Sequence, residues 1–260
     1  MWYILRPEPE VEVIKRPLKY LVKDFLAEEK IVEGNLKEKL QFFKDAMKVT
    51  PTEIEEVAAA TTGQATNELW TLVRQGRLTA SNFGLVLKAK KITESLIKTL
   101  HGEYNLERVK AIQWGIQNEE TAIRDFERKY NVKVTKSGIY LHESGVLGAS
   151  PDGILGDDDI VEVKCPYSLR YKSCADGIPH KKIGFIIKAD ENGVLSMDTN
   201  HRWYHQIQGQ LHVMKKRNCF LVIWTTKDML VVKISYNPSW TGNIENLLRF
   251  YYEKYLCTLV

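Results

Sequence analysis

After an opening stretch punctuated by Pro and Glu, apolar residues recur every three or four positions in two segments of the first sixty residues, which is the spacing of amphipathic helices. Thr50-Pro51-Thr52-Glu53 has the composition of a helix start, and the run from Ala58 to Ala60 continues that helix. The polar run from Thr61 to Gln64 then breaks the pattern. We therefore predict an N-terminal helical extension over residues 1–60 and a main domain over residues 61–260. The apolar positions before Thr50 are Leu18, Leu21, Val22 and Phe25, then Leu36, Leu40, Phe43 and Met47.

Helical spacing and period-two alternation succeed each other along the main domain. Asn67 to Arg74 favours a short helix that Gly76 ends, and the turn from Leu78 starts another, with Thr79 or Ser81 as its cap. This succession of helices and strands indicates an α/β domain with a mixed sheet. The other predicted helices are Tyr104–Tyr130, Asn200–Lys216 and Ser239–Leu256, and the strands are Lys133–His142, Val146–Ala149, Ile160–Cys165, Cys219–Thr225 and Met229–Ile234.

The segment from Ser150 to Pro166, SPDGILGDDDIVEVKCP, predicts a β-hairpin because its central glycine and aspartates favour a turn. Alternation in the second arm places Glu162 and Lys164 on one strand face with Ile160, and Asp152 lies across the hairpin. The opposite face carries Val161, Val163 and Cys165. Taken alone, the segment supports two interpretations equally, a divalent-metal site that acts on a phosphate or a surface cross-strand ion pair.

The long predicted helix carries a carboxylate on its apolar stripe. Glu119 fills the missing position in a three-four series of large apolar residues, whereas Glu120 lies off that series and is expected to be solvated. A buried carboxylate is costly unless it is paired or ligates a metal. Glu119 is therefore either a metal ligand or one partner in a structural salt bridge. The series consists of Val109, Ile112, Ile116, Ile123, Phe126 and Tyr130.

The helix predicted after Asn200 has an apolar stripe that Gln206 and Gln210 border. A glutamine in such a place is most often a satisfied hydrogen-bonding group. His201 and His205 lie one turn apart, a spacing that can hold zinc, but no HExxH pattern supports that interpretation. The stripe consists of Trp203, Ile207, Leu211 and Met214.

The whole-chain composition is that of an ordinary globular protein, with 44% hydrophobic and 27% charged residues. No apolar run approaches the roughly 20 residues of a membrane span, and the N-terminus lacks a signal-peptide pattern. The 4 cysteines include no CxxC pair, which argues against a structural zinc site. We expect an intracellular protein, in the cytoplasm or a eukaryotic nucleus, with no membrane partner. The net charge of +4 is too small to indicate a nucleic-acid partner by itself.

Glu119, Asp152, Glu162 and Lys164 together supply three carboxylates and one amine. Oxygen ligands favour Mg²⁺ or Mn²⁺ over zinc. The sequence contains no GxxxxGK[ST] loop and no GxSxG elbow that would indicate a different chemistry. Hydrolysis of a phosphodiester by metal-activated water is the reaction that such a set of groups suits best.

Four separated blocks occur in one order, and with them the chain resembles the lambda exonuclease and YqaJ viral recombinase group of PD-(D/E)XK nucleases over roughly residues 64–226. The resemblance implies a restriction-endonuclease-like core, with a central mixed β-sheet flanked by helices. The blocks are RQGRLTAS from Arg74 to Ser81, WGIQNE from Trp114 to Glu119, the segment Ser150–Pro166, and HQIQ from His205 to Gln208.

The resemblance implies a role for each matched residue. Asp152 and Glu162 look like the main metal ligands, with the Val163 carbonyl as a further oxygen. Glu119 looks like the helix-borne carboxylate that completes the metal site. Lys164 would orient or help deprotonate the attacking water and stabilise the charged transition state.

Other matched residues would contact the water or the DNA. Gln206 resembles the family's glutamine beside the attacking water, and Trp203 stands where the family often has a tyrosine. The first 60 residues match nothing recognised. The resemblance further implies that four residues bind the 5′-phosphate of a DNA end, and arginine forks and hydroxyls are groups that suit phosphate. These are Arg74, Ser81, Ser150 and Arg170.

The function implied is that of a Mg²⁺-dependent 5′→3′ exonuclease on double-stranded DNA ends, serving recombination or viral DNA processing, with Mn²⁺ as a substitute metal. The implied partners are a single-strand annealing protein and two further copies of the chain in a homotrimeric ring. The alternatives are a structure-specific or restriction-like endonuclease and a non-catalytic module that binds DNA ends.

Overall fold

The computed structural model describes residue 18 and residues 36–102, 108–177, 186–191 and 195–259. In chain order the α-helices are α1 Leu36–Met47, α2 Pro51–Ala60, α3 Glu68–Arg74, α4 Ala80–Lys88, α5 Glu94–His101, α6 Lys110–Tyr130, α7 Cys174–Gly177, α8 Arg202–Met214 and α9 Gly242–Phe250. The strands are β1 Leu78–Thr79, β2 Tyr140–Leu141, β3 Leu147–Ala149, β4 Gly153–Leu155, β5 Asp159–Lys164, β6 Ile187–Ala189, β7 Leu195–Met197, β8 Asn218–Trp224 and β9 Met229–Ser235.

The main sheet has four strands in the order β4-β5-β8-β9, and β5 and β8 pair in parallel at its centre. The outer pairs, β4 with β5 and β8 with β9, are antiparallel. A second sheet, β1-β3-β2, also combines one parallel and one antiparallel pair, and β6 and β7 form an antiparallel ribbon. The predicted α/β domain with a mixed sheet is therefore confirmed.

Strand β5 separates two hydrophobic cores. Ile160 belongs to the larger core, together with Ile207 and Leu211 of α8. Val161 and Val163 belong to the smaller core, which α6 covers. The predicted alternation in this arm is therefore confirmed, and α8 and α6 lie on opposite faces of the strand.

Helix α6 is rotated relative to the predicted apolar stripe. Ile116 is 61% exposed, and Val109 and Tyr130 are also exposed, so the predicted stripe is wrong at these three positions. Phe126 is buried as predicted, and the buried face also contains Ala122, which the predicted stripe left out. A small residue on the contact face lets a helix lie close to a sheet, whereas the predicted stripe was drawn through the large side chains alone. Glu120 is exposed, as expected. Residues 104–107, with which the predicted helix begins, lie outside the described residues.

The strand predicted over Lys133–His142 is wrong for most of its length. Thr135 makes an isolated bridge with Ile154, and a regular strand is present only over Tyr140–Leu141. Between them, the N–H of Ile139 donates to the Thr61 hydroxyl at 2.9 Å rather than to a neighbouring strand. This contact with the end of α2 replaces the ladder that a continuous strand would require.

The described part of residues 1–60 packs on the main domain. Phe43 and Met47 of α1 and the isolated residue Leu18 are buried in the larger core. Helix α2 begins as predicted, because Thr50 and Glu53 form a reciprocal capping box. Leu21, Val22 and Phe25 lie outside the described residues. The division near residue 60 stays a prediction.

The last predicted helix, Ser239–Leu256, is present in several segments. A 3₁₀ turn at Pro238–Trp240 precedes α9, and a π-helical turn over Tyr251–Tyr255 follows it. The Tyr251 hydroxyl donates to the carbonyl of Gly76 at 3.0 Å, which ties this end of the chain to the turn before β1. Within the described residues, no helix has both the length and the apolar character that a membrane span requires.

Candidate active site

The hairpin of β4 and β5 brings Asp152 next to the strand that carries Glu162. Gly153 pairs with Val161, and the chain turns at Gly156, whose φ of 61° is left-handed. One carboxylate oxygen of Asp152, Oδ2, accepts the N–H of Val163 at 2.6 Å. The predicted hairpin is confirmed, and it holds the aspartate against β5.

Glu162 is the centre of the site and is only 2% exposed. Its Oε1 accepts a hydrogen bond from Nε2 of Gln206 at 2.6 Å, and its Oε2 accepts one from Nε2 of Gln210 at 2.7 Å. The Lys164 ammonium forms an ion pair with the same carboxylate. Because the pair is buried and held by α8, the interpretation as a surface cross-strand ion pair is wrong.

The carboxylates near Glu162 hold their negative charge with difficulty. Burial, then the charges of Glu162 and Glu119, raise the pKa of Asp152 well above its usual value. Burial and the charge of Glu162 also raise the pKa of Glu119, against the opposing effect of Lys164. These mutual effects place Glu119 near the other two carboxylates, although Ile116, the preceding member of the predicted stripe, is exposed.

Lys164 stays positively charged in this surrounding. Burial by itself would lower the pKa of the ammonium, but the carboxylates of Glu162 and Asp152 outweigh that effect and raise it. The ammonium also lies 5.8 Å from the ring centroid of Trp203, on the first turn of α8. The site therefore contains one fixed cation among three carboxylates.

Gln210 was not singled out as a functional residue from the sequence. It is buried, and its Oε1 has no hydrogen-bond partner among the described residues. The available signal was its position four residues after Gln206, because residues one turn apart on a helix point in the same direction. That both amides meet the same carboxylate depends on how α8 lies over β5, which the sequence alone does not show.

Arg74 and Ser150 meet through a tryptophan. The guanidinium of Arg74 lies 4.1 Å from the ring centroid of Trp70, one turn earlier on α3. The indole N–H of Trp70 donates to the Ser150 hydroxyl at 2.9 Å. Burial lowers the pKa of Arg74 to about 10, so the side chain is still charged at neutral pH. Ser150 lies two residues before Asp152 in the chain.

Ser81 and Arg170 each contact residues of their own segment. Ser81 is exposed at the start of α4, and its hydroxyl lies 3.1 Å from that of Thr79. Thr79 is the predicted N-cap residue, but its side chain makes no capping hydrogen bond. Arg170 follows the 3₁₀ turn after β5, and its Nη1 donates to the carbonyl of Tyr167 at 2.7 Å.

The histidines of α8 have protein partners. His201 caps the helix by accepting the N–H of Trp203 at 3.2 Å. Nδ1 of His205 accepts the indole N–H of Trp240 at 3.0 Å. Among the described residues no group of three or more His, Cys, Asp and Glu side chains is arranged to hold a metal ion.

The donor types nevertheless fit a divalent cation of the Mg²⁺ kind. Three carboxylates supply only oxygen ligands. Burial, and then the charges of neighbouring carboxylates, raise the pKa of Asp152 and Glu119, and a bound cation would oppose both effects. In the described arrangement Glu162 faces the amides of α8 and Asp152 faces the backbone of β5. Asp152, Glu162 and Glu119 are the residues that would hold such a cation.

Comparison with known proteins supports the resemblance that the sequence blocks indicated. Residues 69–227, more than half of the chain, match the YqaJ-like viral recombinase domain. The alkaline nuclease of Orgyia pseudotsugata multicapsid polyhedrosis virus is 28% identical over 199 residues, which are 67% of this chain and 44% of that protein. The chain thus spans less than half the length of this curated relative.

Solved structures share the fold. An alkaline exonuclease from Laribacter hongkongensis matches with a TM-score of 0.55 and 23% identity, covering 74% of this chain and 94% of that one. A SOX–DNA complex matches with a TM-score of 0.51 and 12% identity, covering 93% and 82%. The expected restriction-endonuclease-like core is confirmed by these neighbours. On the strength of the match over residues 69–227, the chain belongs to the family of proteins with a YqaJ-like viral recombinase domain.

Proposed function

We propose that this chain is a Mg²⁺-dependent deoxyribonuclease that degrades double-stranded DNA from its ends in the 5′→3′ direction. The observation that carries the proposal is the buried Glu162 carboxylate, which two amides and an ammonium hold beside two carboxylates of raised pKa. Perturbed groups of this kind concentrate at catalytic sites. The family match and the names of the relatives, an alkaline nuclease and an alkaline exonuclease, agree with it.

Asp152, Glu162 and Glu119 would hold the metal, with the Val163 carbonyl as a further ligand. When bound, Mg²⁺ supplies a water of lowered pKa and neutralises charge that develops on the phosphate. Mn²⁺ would substitute, because both ions prefer oxygen ligands.

Lys164 and Gln206 would act on the water and the phosphate. We assign Lys164 to orienting or helping to deprotonate the attacking water and to stabilising the charged transition state. Gln206 has a second amide hydrogen and a carbonyl beyond its bond to Glu162, and these can orient the same water.

Arg74, Ser150, Ser81 and Arg170 would bind the terminal 5′-phosphate. Trp70 positions the first two of these residues, and Ser150 precedes Asp152 by two residues, so a phosphate held there lies beside the metal ligands. A terminal phosphate site distinguishes an exonuclease from an endonuclease on the same core. By family resemblance we further propose a ring of three chains that passes the 3′ strand to an annealing protein.

Digestion of linear and covalently closed duplex DNA with Mg²⁺ or EDTA tests the proposal. We expect loss of linear duplex only, only with Mg²⁺, and release of a 5′ label before a 3′ label. Cutting of closed circles would support the endonuclease instead, and binding of ends without cleavage would support the non-catalytic module. Lys164→Ala should abolish digestion but keep end binding, whereas Lys233→Ala on the exposed side of β9 should leave both digestion and end binding unchanged.

Arg74→Ala tests the phosphate site separately. We expect it to reduce the preference for 5′-phosphorylated over 5′-hydroxyl ends, because one charge-assisted contact to the phosphate is lost. Arg124→Ala, an exposed arginine of α6, is the matched control. A wild-type protein that degrades both ends equally would contradict this part of the proposal.

A further inference from the structure

An aromatic and cationic cluster lies immediately after the strand that carries Glu162 and Lys164. The Arg170 guanidinium lies 3.8 Å from the ring centroid of Tyr167 and 4.9 Å from that of Tyr171. Trp114 of α6 meets both tyrosine rings edge-on, at centroid distances of 6.4 and 6.2 Å. We call these four residues the Arg170 platform.

One side of the platform is held by the rest of the protein, and the other side is exposed. The carbonyl of Arg170 accepts both the N–H and the hydroxyl of Thr226, at 3.1 and 2.6 Å, which fixes its backbone. Trp114 packs on the smaller core beneath β5, and its buried indole N–H has no hydrogen-bond partner among the described residues. Tyr171, in contrast, is 65% exposed although it is a large aromatic residue. Its exposed area serves no packing within the described chain.

The position of the platform relates it to the catalytic cluster. Tyr167 follows Lys164 by three residues, and Trp114 precedes Glu119 on the same helix. The cluster itself carries three carboxylates, which repel a DNA backbone. An approaching strand therefore needs positive charge and attractive surface beside the carboxylates, and an arginine between two tyrosine rings supplies both.

We propose that the Arg170 platform binds the terminal nucleotide of the 5′ strand, with its base stacked on Tyr171 and its phosphate at the Arg170 guanidinium. The proposal rests on the proposed function, because it assumes that a DNA end enters the site. It adds a nucleobase contact to the phosphate contact. Tyr167 and Trp114 act as positioning residues, since they hold the arginine and the exposed ring and do not themselves meet the base.

A nucleobase fits this surface better than an apolar protein segment does. Every base has a flat face that stacks on an exposed ring, and stacking is therefore independent of sequence. The guanidinium adds a cation beside the ring, which suits the anionic backbone attached to the base. An apolar partner would instead leave the charge of Arg170 without a counterion.

Binding of short duplexes in EDTA, measured by fluorescence anisotropy without cleavage, tests the proposal. Tyr171→Ala should weaken binding of a 5′-phosphorylated end about 10-fold, from the loss of one base–aromatic stack. Tyr171→Phe keeps the ring and should stay within about twofold of the wild type, since the ring rather than the hydroxyl makes the stack. Tyr130→Ala is the matched control, because Tyr130 is also exposed and also lies under a cation, Lys129.

An abasic terminal nucleotide separates stacking from a merely structural role. If Tyr171 stacks on the base, the abasic end should bind the wild type about as weakly as the intact end binds Tyr171→Ala, and the variant should not discriminate between the two ends. Equal binding by wild type and Tyr171→Ala would overturn the proposal. So would a loss in Tyr171→Ala that is the same for the abasic end, or a loss as large in Tyr171→Phe.

The two proposals fail in different ways. A wild-type protein that neither binds nor digests DNA ends refutes the proposed function and this inference together. A wild-type protein that digests linear duplex with Mg²⁺, while Tyr171→Ala binds ends equally well, refutes the inference alone. Thermal melting confirms folding of the variant, because an exposed side chain contributes within about 0.5 kcal/mol to stability.

Discussion

The two amides that hold Glu162 differ in burial, and this difference gives a sharp test of how the carboxylate is positioned. Gln210 is buried, whereas Gln206 is half-buried. A third glutamine of α8, Gln208, is equally buried but donates to the carbonyl of Ser235 at 2.8 Å, away from Glu162. Replacing each of the three by leucine separates support of Glu162 from general support of the helix.

The expected change in the free energy of unfolding follows from the hydrogen-bonding groups that each substitution removes. Gln210→Leu removes a hydrogen bond to a buried charge, which lowers the free energy of unfolding by about 1.5–3 kcal/mol. The same substitution removes a buried acceptor that has no partner, which raises the free energy of unfolding by about 1 kcal/mol. We therefore expect a net loss of about 0.5–2 kcal/mol in the free energy of unfolding. Gln206→Leu should lose less than about 1 kcal/mol, because water can replace a half-buried donor.

Thermal melting in EDTA measures the stability effects, at about 2–4 °C for each kcal/mol in a chain of this size. Titration of nuclease activity with Mg²⁺ measures the effect on the site. Because partners that orient a metal ligand are worth about 10–100-fold in metal affinity or activity, Gln210→Leu should raise the Mg²⁺ requirement by that factor. Gln208→Leu should destabilise the fold but keep the wild-type requirement. An unchanged requirement in Gln210→Leu, or an equal rise in Gln208→Leu, would refute the assigned positioning role.

Two further substitutions test the electrostatics and the packing. The raised pKa of Asp152 means that the metal-free folded state loses stability as pH rises above the unfolded-state pKa. Asp152→Asn should therefore melt about 2–4 °C above the wild type at pH 8 in EDTA, with a smaller gain at pH 4; an equal gain at both pH values would contradict this cause. Gly145 and Gly102 have φ values of 70° and 71°, but a Cβ at Gly145 would lie 1.8 Å from the Met47 carbonyl, and one at Gly102 would meet nothing within 4 Å. Gly145→Ala should cost at least about 2 kcal/mol more than Gly102→Ala in denaturant unfolding; equal costs would mean that the end of α1 does not press on this turn.

The hairpin and its charged face could be predicted from the sequence because they depend on local rules. Gly156 and the aspartates that follow it predicted where the hairpin turns, and period-two alternation predicted which side chains share a strand face with Glu162. The two cores on either side of β5 confirm that alternation. What the sequence left open, whether the charged face is exposed or buried, depends on whether α8 covers it.

Two predictions from the sequence were wrong in part because packing between elements determines the structure there. The strand expected over Lys133–His142 is interrupted because Ile139 bonds to Thr61, a residue 78 positions earlier in the chain. The stripe of α6 was drawn through large apolar residues, yet the contact face contains the small Ala122. In the first case a distant partner overrides the local pattern, and in the second a pattern of large side chains leaves out a small residue that is buried.

The difference in hydrogen bonding among the three carboxylates indicates where the missing positive charge belongs. A strand with a hydrophobic core on each face tolerates a carboxylate only if each oxygen has a partner, and Glu162 meets that condition through α8 and Lys164. Asp152 has one backbone partner, and burial and then the charge of Glu162 raise the pKa of both Asp152 and Glu119. The protein thus satisfies Glu162 with its own groups and leaves its two neighbours short of cations. A divalent metal, which Asp152, Glu119 and Glu162 would hold, is the addition that would balance the charge of the site.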